Sequence, residues 1–268
     1  MPWPRPRRCG IVVPVDPQAH AQQILEQGYT VFERAFEPEW VDAARAKIMA
    51  NYEALGRPPL WSRESLQLEE DVIACMAGLC VHGLLPRYPE LGAELFRPEF
   101  IDVFRRVLGE DMFMEVAGWV ISDKRRPFFD WHLHADGKDD SFHLRRGYWP
   151  KIDKPQRLMA LLYLDDLDPE HGPLLIYPHE IGTPLDPPYD TSAENWEGQI
   201  EFGLPAGSLV VIEACTWHAV RRQLNDEPRI WICCTFTAGD AERCGWFDPR
   251  LLSYESNNPV LQSVLPRD

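Results

Sequence analysis

The spacing of apolar positions divides the chain into a helical first part and a strand-rich second part. Asp16 followed by Pro17 has the form of an N-cap with proline in the first turn. Gly28 closes that segment, and Ile24 and Leu25 give it an apolar stripe. Pro38 opens a second helix that runs to about Leu55, with Trp40, Val41, Ala44, Ile48 and Tyr52 recurring at helical spacing. The pattern predicts a third helix from about Ser65 to Leu79. A fourth, Pro98 to Leu108, carries Phe100, Ile101, Phe104, Val107 and Leu108 and stops at Gly109.

After Glu110 the period shortens. Residues 112–121, 158–164, 173–177, 207–213 and 230–236 are strand-like runs, separated by turn signals at 168–173, 205–207 and 225–228. Helices followed by a series of strands predict an α+β chain with a mainly β core, an antiparallel sandwich or barrel flanked by N-terminal helices. With no linker, repeat or low-complexity tract, one domain over residues 1–268 is expected. Its helical part is about 15–110, its β core about 111–240, and 241–268 form a C-terminal extension.

Charge narrows the partners. The net charge of −15 repels nucleic-acid backbones and anionic lipid, so neither nucleic acid nor membrane is an expected partner. No apolar run approaches the roughly 20 residues of a membrane helix. The basic runs Lys124–Arg125–Arg126 and Arg145–Arg146 read as solvated loop charge; a local patch for an anionic substrate is the alternative. Seven cysteines without a CxxC pair do not make a disulfide framework. They read as reduced residues of a cytoplasmic protein, and no signal peptide is recognisable.

Candidate chemistry concentrates in residues 130–136, Asp-Trp-His-Leu-His-Ala-Asp. His134 and Asp136 lie two apart, so in an extended segment they point to one side and can grip one ion. His218 follows the predicted strand 207–213 and supplies a third ligand. Two histidines and a carboxylate form the facial triad of non-haem Fe(II) oxygenases, which leaves coordination positions open for a bidentate co-substrate and O2. Arg229 opens the next strand. There its guanidinium is suited to the distal carboxylate of 2-oxoglutarate. The long stretch 137–156, with Arg145, Tyr148 and Trp149, is the candidate substrate loop. Trp119, Trp131 and Trp217 are further pocket candidates, core packing being the competing reading.

On these motifs the chain resembles the phytanoyl-CoA dioxygenase family. Residues 131–136 resemble that family's HxD iron segment, and 164–178 its strand–turn–strand signature. Residues 207–218 resemble the strand that delivers the distal histidine, and 228–231 the strand with the co-substrate arginine. Members of that family often carry Trp directly before the iron His: with Trp131 before His132, a second register would make His132 and His134 the ligand pair. The register that keeps a carboxylate is preferred, with His132 beside the site as a substrate contact or a hydrogen-bonded neighbour. The resemblance implies a double-stranded β-helix (a jelly roll, cupin-like) flanked by helices. It also implies an oxidoreductase that uses Fe(II), 2-oxoglutarate and O2 on a small molecule. Tyr177-Pro178-His179-Glu180 departs from the family's usual Pro-Gly-Ser-His, so contacts from that loop are expected to differ.

Overall fold

The structure is a computed structural model and describes residues 15–134, 149 and 151–267. Helix α1 (Pro17–Gln27) starts where Asp16 accepts the backbone N–H groups of Gln18 and Ala19. It stops at Gly28, which sits at φ +79°. Strand β1 (Tyr29–Phe32) and helix α2 (Pro38–Ala54) follow. Helix α5 (Pro98–Leu108) buries Phe100, Ile101, Val103, Phe104 and Leu108, with Glu99 in its first turn and Arg105 and Arg106 in its last, a charge order that suits the helix dipole. Two short helices, α3 (Leu84–Arg87) and α4 (Pro89–Leu95), precede it.

The third predicted helix does not form. Residues 65–79 instead supply β2 (Leu66–Glu69), β3 (Val72–Ala74) and the first residue of β4 (Leu79–His82). Asp71 and Gly78 break the run into pieces too short for a stable helix, whereas alternation buries Val72 and Ala74 on one face. Strand β4 then adds these strands to β5 (Phe113–Ser122), whose own backbone would otherwise be an open edge.

The remaining strands are β6 (Phe129–His132), β7 (Arg157–Tyr163), β8 (Leu174–Ile176), β9 (Ile200–Glu201), β10 (Leu209–Glu213), β11 (His218–Val220) and β12 (Arg229–Thr237). One sheet runs β1-β10-β7-β12-β5-β4-β3-β2 and the other β6-β11-β8-β9; every pairing is antiparallel. The two sheets make a jelly roll. The helices cover the outer face of the large sheet, where Ile24, Ile48, Phe100 and Phe104 pack with Val81, Trp119, Ile121, Ile232 and Phe236. Its inner face meets the small sheet through Tyr29, Val120, Leu161, Tyr163, Ile212 and Trp231 on one side and Leu174, Ile176 and Val220 on the other. Among the described residues no helix is long and apolar enough to cross a membrane.

One ion pair ties the C-terminal extension to this frame. The Arg157 Nε donates to Glu115 Oε2 at 3.0 Å, with both side chains almost wholly inaccessible (2% and 0%). Glu115 also accepts the Cys244 N–H at 3.0 Å, and Arg157 donates to the Glu242 carbonyl. Removing one partner strands the other charge in the core. Glu115→Ala is expected to cost about 3–5 kcal/mol of unfolding free energy, read from urea denaturation. Loss of under about 1 kcal/mol would show that water reaches this pair.

Candidate metal centre

Strand β11 lies between β6 and β8, and its register sets His218 directly opposite His132. The two imidazole centroids are 4.1 Å apart, and His134, just past the end of β6, stands 5.3 Å from each. One nitrogen from each of the three residues lies within 4.8 Å of the others, close enough for all three to converge on a single ion. His134 is held by its own backbone, whose N–H donates to the Ala214 carbonyl at 2.7 Å, and its ring meets Trp246 edge-on at 5.9 Å.

Hydrogen bonding sets the tautomers of the two strand histidines. His132 Nδ1 is 2.7 Å from the Asp130 carbonyl, and His218 Nδ1 is 2.9 Å from the Thr216 carbonyl. A carbonyl only accepts, so each Nδ1 carries the hydrogen and each Nε2 keeps its lone pair for a metal. Burial pushes both imidazoles below their ordinary pKa: His218 down to about 4, and His132 well down, with the charges of His218 and His134 adding to the effect. Neutral imidazoles with oriented lone pairs are the donors that a borderline divalent metal takes, so the residues present fit an iron site.

The turn between β10 and β11 carries His218 and is tied down twice. Thr216 Oγ1 donates to the Gly28 carbonyl at 2.9 Å, and the Glu213 N–H donates to the same oxygen at 2.8 Å. A Cβ on Gly28 would stand 2.2 Å from Thr216 Oγ1, so the helix stop and the histidine turn fit only with glycine there.

Arg229 opens β12 opposite Ser122 and is 1% exposed. Its guanidinium lies 4.8 Å over the Trp231 ring, donates to the carbonyls of Gly172 and His171, and leaves Nε without a partner. Arg126 is equally buried, its pKa pushed down to about 9 by desolvation and then by the charge of Arg229. Arg126 therefore departs from the expected solvated run, whereas Arg125 beside it is exposed and pairs with Asp123. Arg126 also acts electrostatically on His132, which links the arginines to the histidines. Tyr163, raised to about 12 by burial, feels both guanidinium groups.

The structure thus brings together His134 and His218 from the expected triad and adds His132. Asp136 lies outside the described residues, as do Arg145 and Tyr148. The tryptophans named as pocket candidates lie in buried apolar clusters. Trp131 and Trp217 neighbour His132 and His218 in sequence, so strand alternation turns them to the opposite face of the small sheet. There Trp131 stacks on Trp196 at 4.3 Å, and Trp217 meets Trp149 edge-on at 5.0 Å. Trp119 faces the helices. All four tryptophans are buried, Trp119 in the cluster under the helices and Trp131, Trp149 and Trp217 in the one behind the small sheet. Arg126, Tyr163 and Trp246 were not singled out as site residues. The one available signal was Arg126 itself, the last of a basic run directly before Pro127 and six residues ahead of His132.

A jelly roll with a metal-competent histidine cluster between its sheets defines the class: a non-haem metal oxygenase fold. The family profile described as Phytanoyl-CoA dioxygenase (PhyH) matches residues 24–231, and the chain belongs to that family. It is an Fe(II)- and 2-oxoglutarate-dependent oxidoreductase. Among solved structures it is similar to SnoK, a non-haem alpha-ketoglutarate dependent carbocyclase from nogalamycin biosynthesis. Identity is 19%, over 90% of this chain and 92% of that one, with a TM-score of 0.61. HygX from Streptomyces hygroscopicus, with nickel and 2-oxoglutarate bound, is 12% identical over 86% of this chain and 90% of that one, with a TM-score of 0.58. AviO1 from Streptomyces viridochromogenes Tue57 is 17% identical over 87% and 99%, with a TM-score of 0.57. Identities this low establish the shared fold. No curated protein sequence matches the chain.

Glu213 gives the site's support a pH dependence. Burial raises its carboxyl to about 7, against the lowering effect of the Cys215 N–H it accepts at 2.6 Å. Between the ordinary 4.5 and about 7 the folded chain holds a proton that the unfolded chain has released. Stability therefore falls as pH rises through that window. The loss is on the order of 3 kcal/mol. Glu213→Gln is expected to flatten this slope in denaturation series run from pH 4.5 to 7.5. An unchanged slope would place the titration on another group.

Proposed function

We propose that this chain oxidises a C–H bond of a small molecule, a natural-product intermediate or related metabolite, in the cytoplasm. In this reading His132, His134 and His218 hold Fe(II), and Arg229 receives the distal carboxylate of 2-oxoglutarate. The observation that carries the ligand set is the β6–β11 register: two buried, neutral imidazoles face each other with Nδ1 tied to backbone and Nε2 free. Bound iron supplies O2 activation coupled to decarboxylation of 2-oxoglutarate to succinate.

The chain's own residues bind, orient and exclude water. The Trp131–Trp196 and Trp149–Trp217 layer backs the small sheet, so the strands that carry the imidazoles rest on a packed apolar support. Trp231 lies under the Arg229 guanidinium and Gly172 accepts from it, so the arginine's orientation is set before any ligand arrives. Val120, Leu161, Ile212 and Ile176 form a buried apolar cluster between the two sheets. SnoK is a carbocyclase and SnoN, of similar fold, an epimerase, both from nogalamycin biosynthesis. By analogy, ring closure or epimerisation stands beside hydroxylation as an outcome that substrate placement selects. A net charge of −15 argues against nucleic acid as substrate.

Succinate release from anaerobically Fe(II)-loaded protein, screened over candidate small molecules, tests the activity. His132→Ala and His218→Ala are each expected to lower Fe(II) affinity and substrate-dependent succinate release by about 100-fold or more. Asp136→Ala separates the two ligand registers. If Asp136→Ala abolishes Fe(II) binding while His132→Ala keeps it, the metal sits in the His134, Asp136, His218 register and the three-histidine set is wrong.

A further inference from the structure

We propose that Arg126 and Arg229 form a two-guanidinium pocket that grips the distal carboxylate of 2-oxoglutarate from two sides, which makes Arg126 a co-substrate-binding and specificity-determining residue. The inference rests on the reading of Arg229 above and extends it from strand β12 to a residue in the loop between β5 and β6.

Both arginines are 1% exposed. The third fully buried arginine, Arg157, has Glu115 as its counter-ion. Among the described residues neither Arg126 nor Arg229 makes an ion pair with a carboxylate. Arg126 donates to the carbonyls of Pro127 at 3.1 Å and Arg221 at 2.9 Å, and Arg229 to those of Gly172 and His171. In both side chains Nε is buried without a partner, and so is Ser122 Oγ, directly opposite Arg229 in the sheet. Carbonyl dipoles orient a guanidinium but do not neutralise it. Two such cations beside each other are costly until an anion enters.

The two side chains are joined through one backbone junction. Gly172 accepts from Arg229 and lies against Arg221, whose carbonyl accepts from Arg126; the Arg221 N–H donates to the Pro173 carbonyl at 3.0 Å. A Cβ at Gly172, where φ is +70°, would stand 2.6 Å from the Arg221 oxygen, so only glycine lets the two arginine supports close on each other. The ligand this suits is a carboxylate, whose two oxygens offer about four acceptor sites, more than one guanidinium fills. A 2-oxo acid without a second carboxylate would leave both cations unpaired. The pair therefore selects 2-oxoglutarate over a monocarboxylate such as pyruvate.

Calorimetric titration of 2-oxoglutarate and of pyruvate into Ni(II)-loaded protein, where no turnover occurs, tests this on wild type, Arg126→Ala, Arg126→Lys and Arg229→Ala. Arg126→Ala is expected to weaken 2-oxoglutarate binding by about 30-fold, with Ni(II) affinity unchanged and the preference over pyruvate reduced by a similar factor. Arg126→Lys keeps the charge but not the fork, and is expected to lose about 10-fold. It decides the matter if the alanine variant does not fold. Wild-type affinity in a folded Arg126 variant, with Arg229→Ala impaired, overturns the role of Arg126 and leaves Arg229 standing. Wild-type affinity in both removes the Arg229 reading as well.

Discussion

Strand β11 is three residues long, yet the site depends on how it pairs. Its register with β6 sets His218 against His132, and each ring is then pinned by the carbonyl two residues before it in its own chain. That repeated i to i−2 bond is what makes two buried histidines competent metal donors. It consumes Nδ1, fixes the tautomer and aims Nε2 between the sheets. The same alternation that turns the histidines inward turns Trp131 and Trp217 outward into a tryptophan layer. On each of the two segments a histidine and its neighbouring tryptophan thus take opposite faces of the small sheet.

Buried charge is handled in two ways in this fold. Arg157 is paired inside the protein, where it donates to Glu115 and to the Glu242 carbonyl, and Glu115 in turn accepts the Cys244 N–H. Arg126 and Arg229 are satisfied only in part, by carbonyls, at the end of the sheet where β12 begins. Two buried cations with no carboxylate ion-pair partner among the described residues gain nothing in stability from their burial. In the proposed reading the anion they take is the far carboxylate of 2-oxoglutarate. A chelating keto acid can reach metal with one end and guanidinium with the other.

Much of this was legible along the chain, for identifiable reasons. Helices at Pro17–Gln27, Pro38–Ala54 and Pro98–Leu108 carry their own start and stop chemistry, so local rules sufficed. The segment 65–79 was misread because short apolar runs fit either period, and what decided it was an available edge on β5, which no local pattern displays. The face each tryptophan takes was not readable locally either: Trp131 and Trp217 adjoin histidines in sequence, and in an extended segment neighbours point to opposite faces. Arg126 was passed over because three basic residues in a row look solvated, and only the packed fold separates the exposed Arg125 from the buried Arg126.

Family, fold class and the residue types of the chemistry were determined by sequence alone: histidines flanking position 133, a distant histidine after a strand, and an arginine at the start of the next. These are composition and order, which a chain carries whatever its shape. Which histidines meet, which face each tryptophan takes and which arginine loses its water were decided only by tertiary structure. Those outcomes depend on the register between strands nearly ninety residues apart, and register is settled by the whole set of pairings at once rather than by any segment.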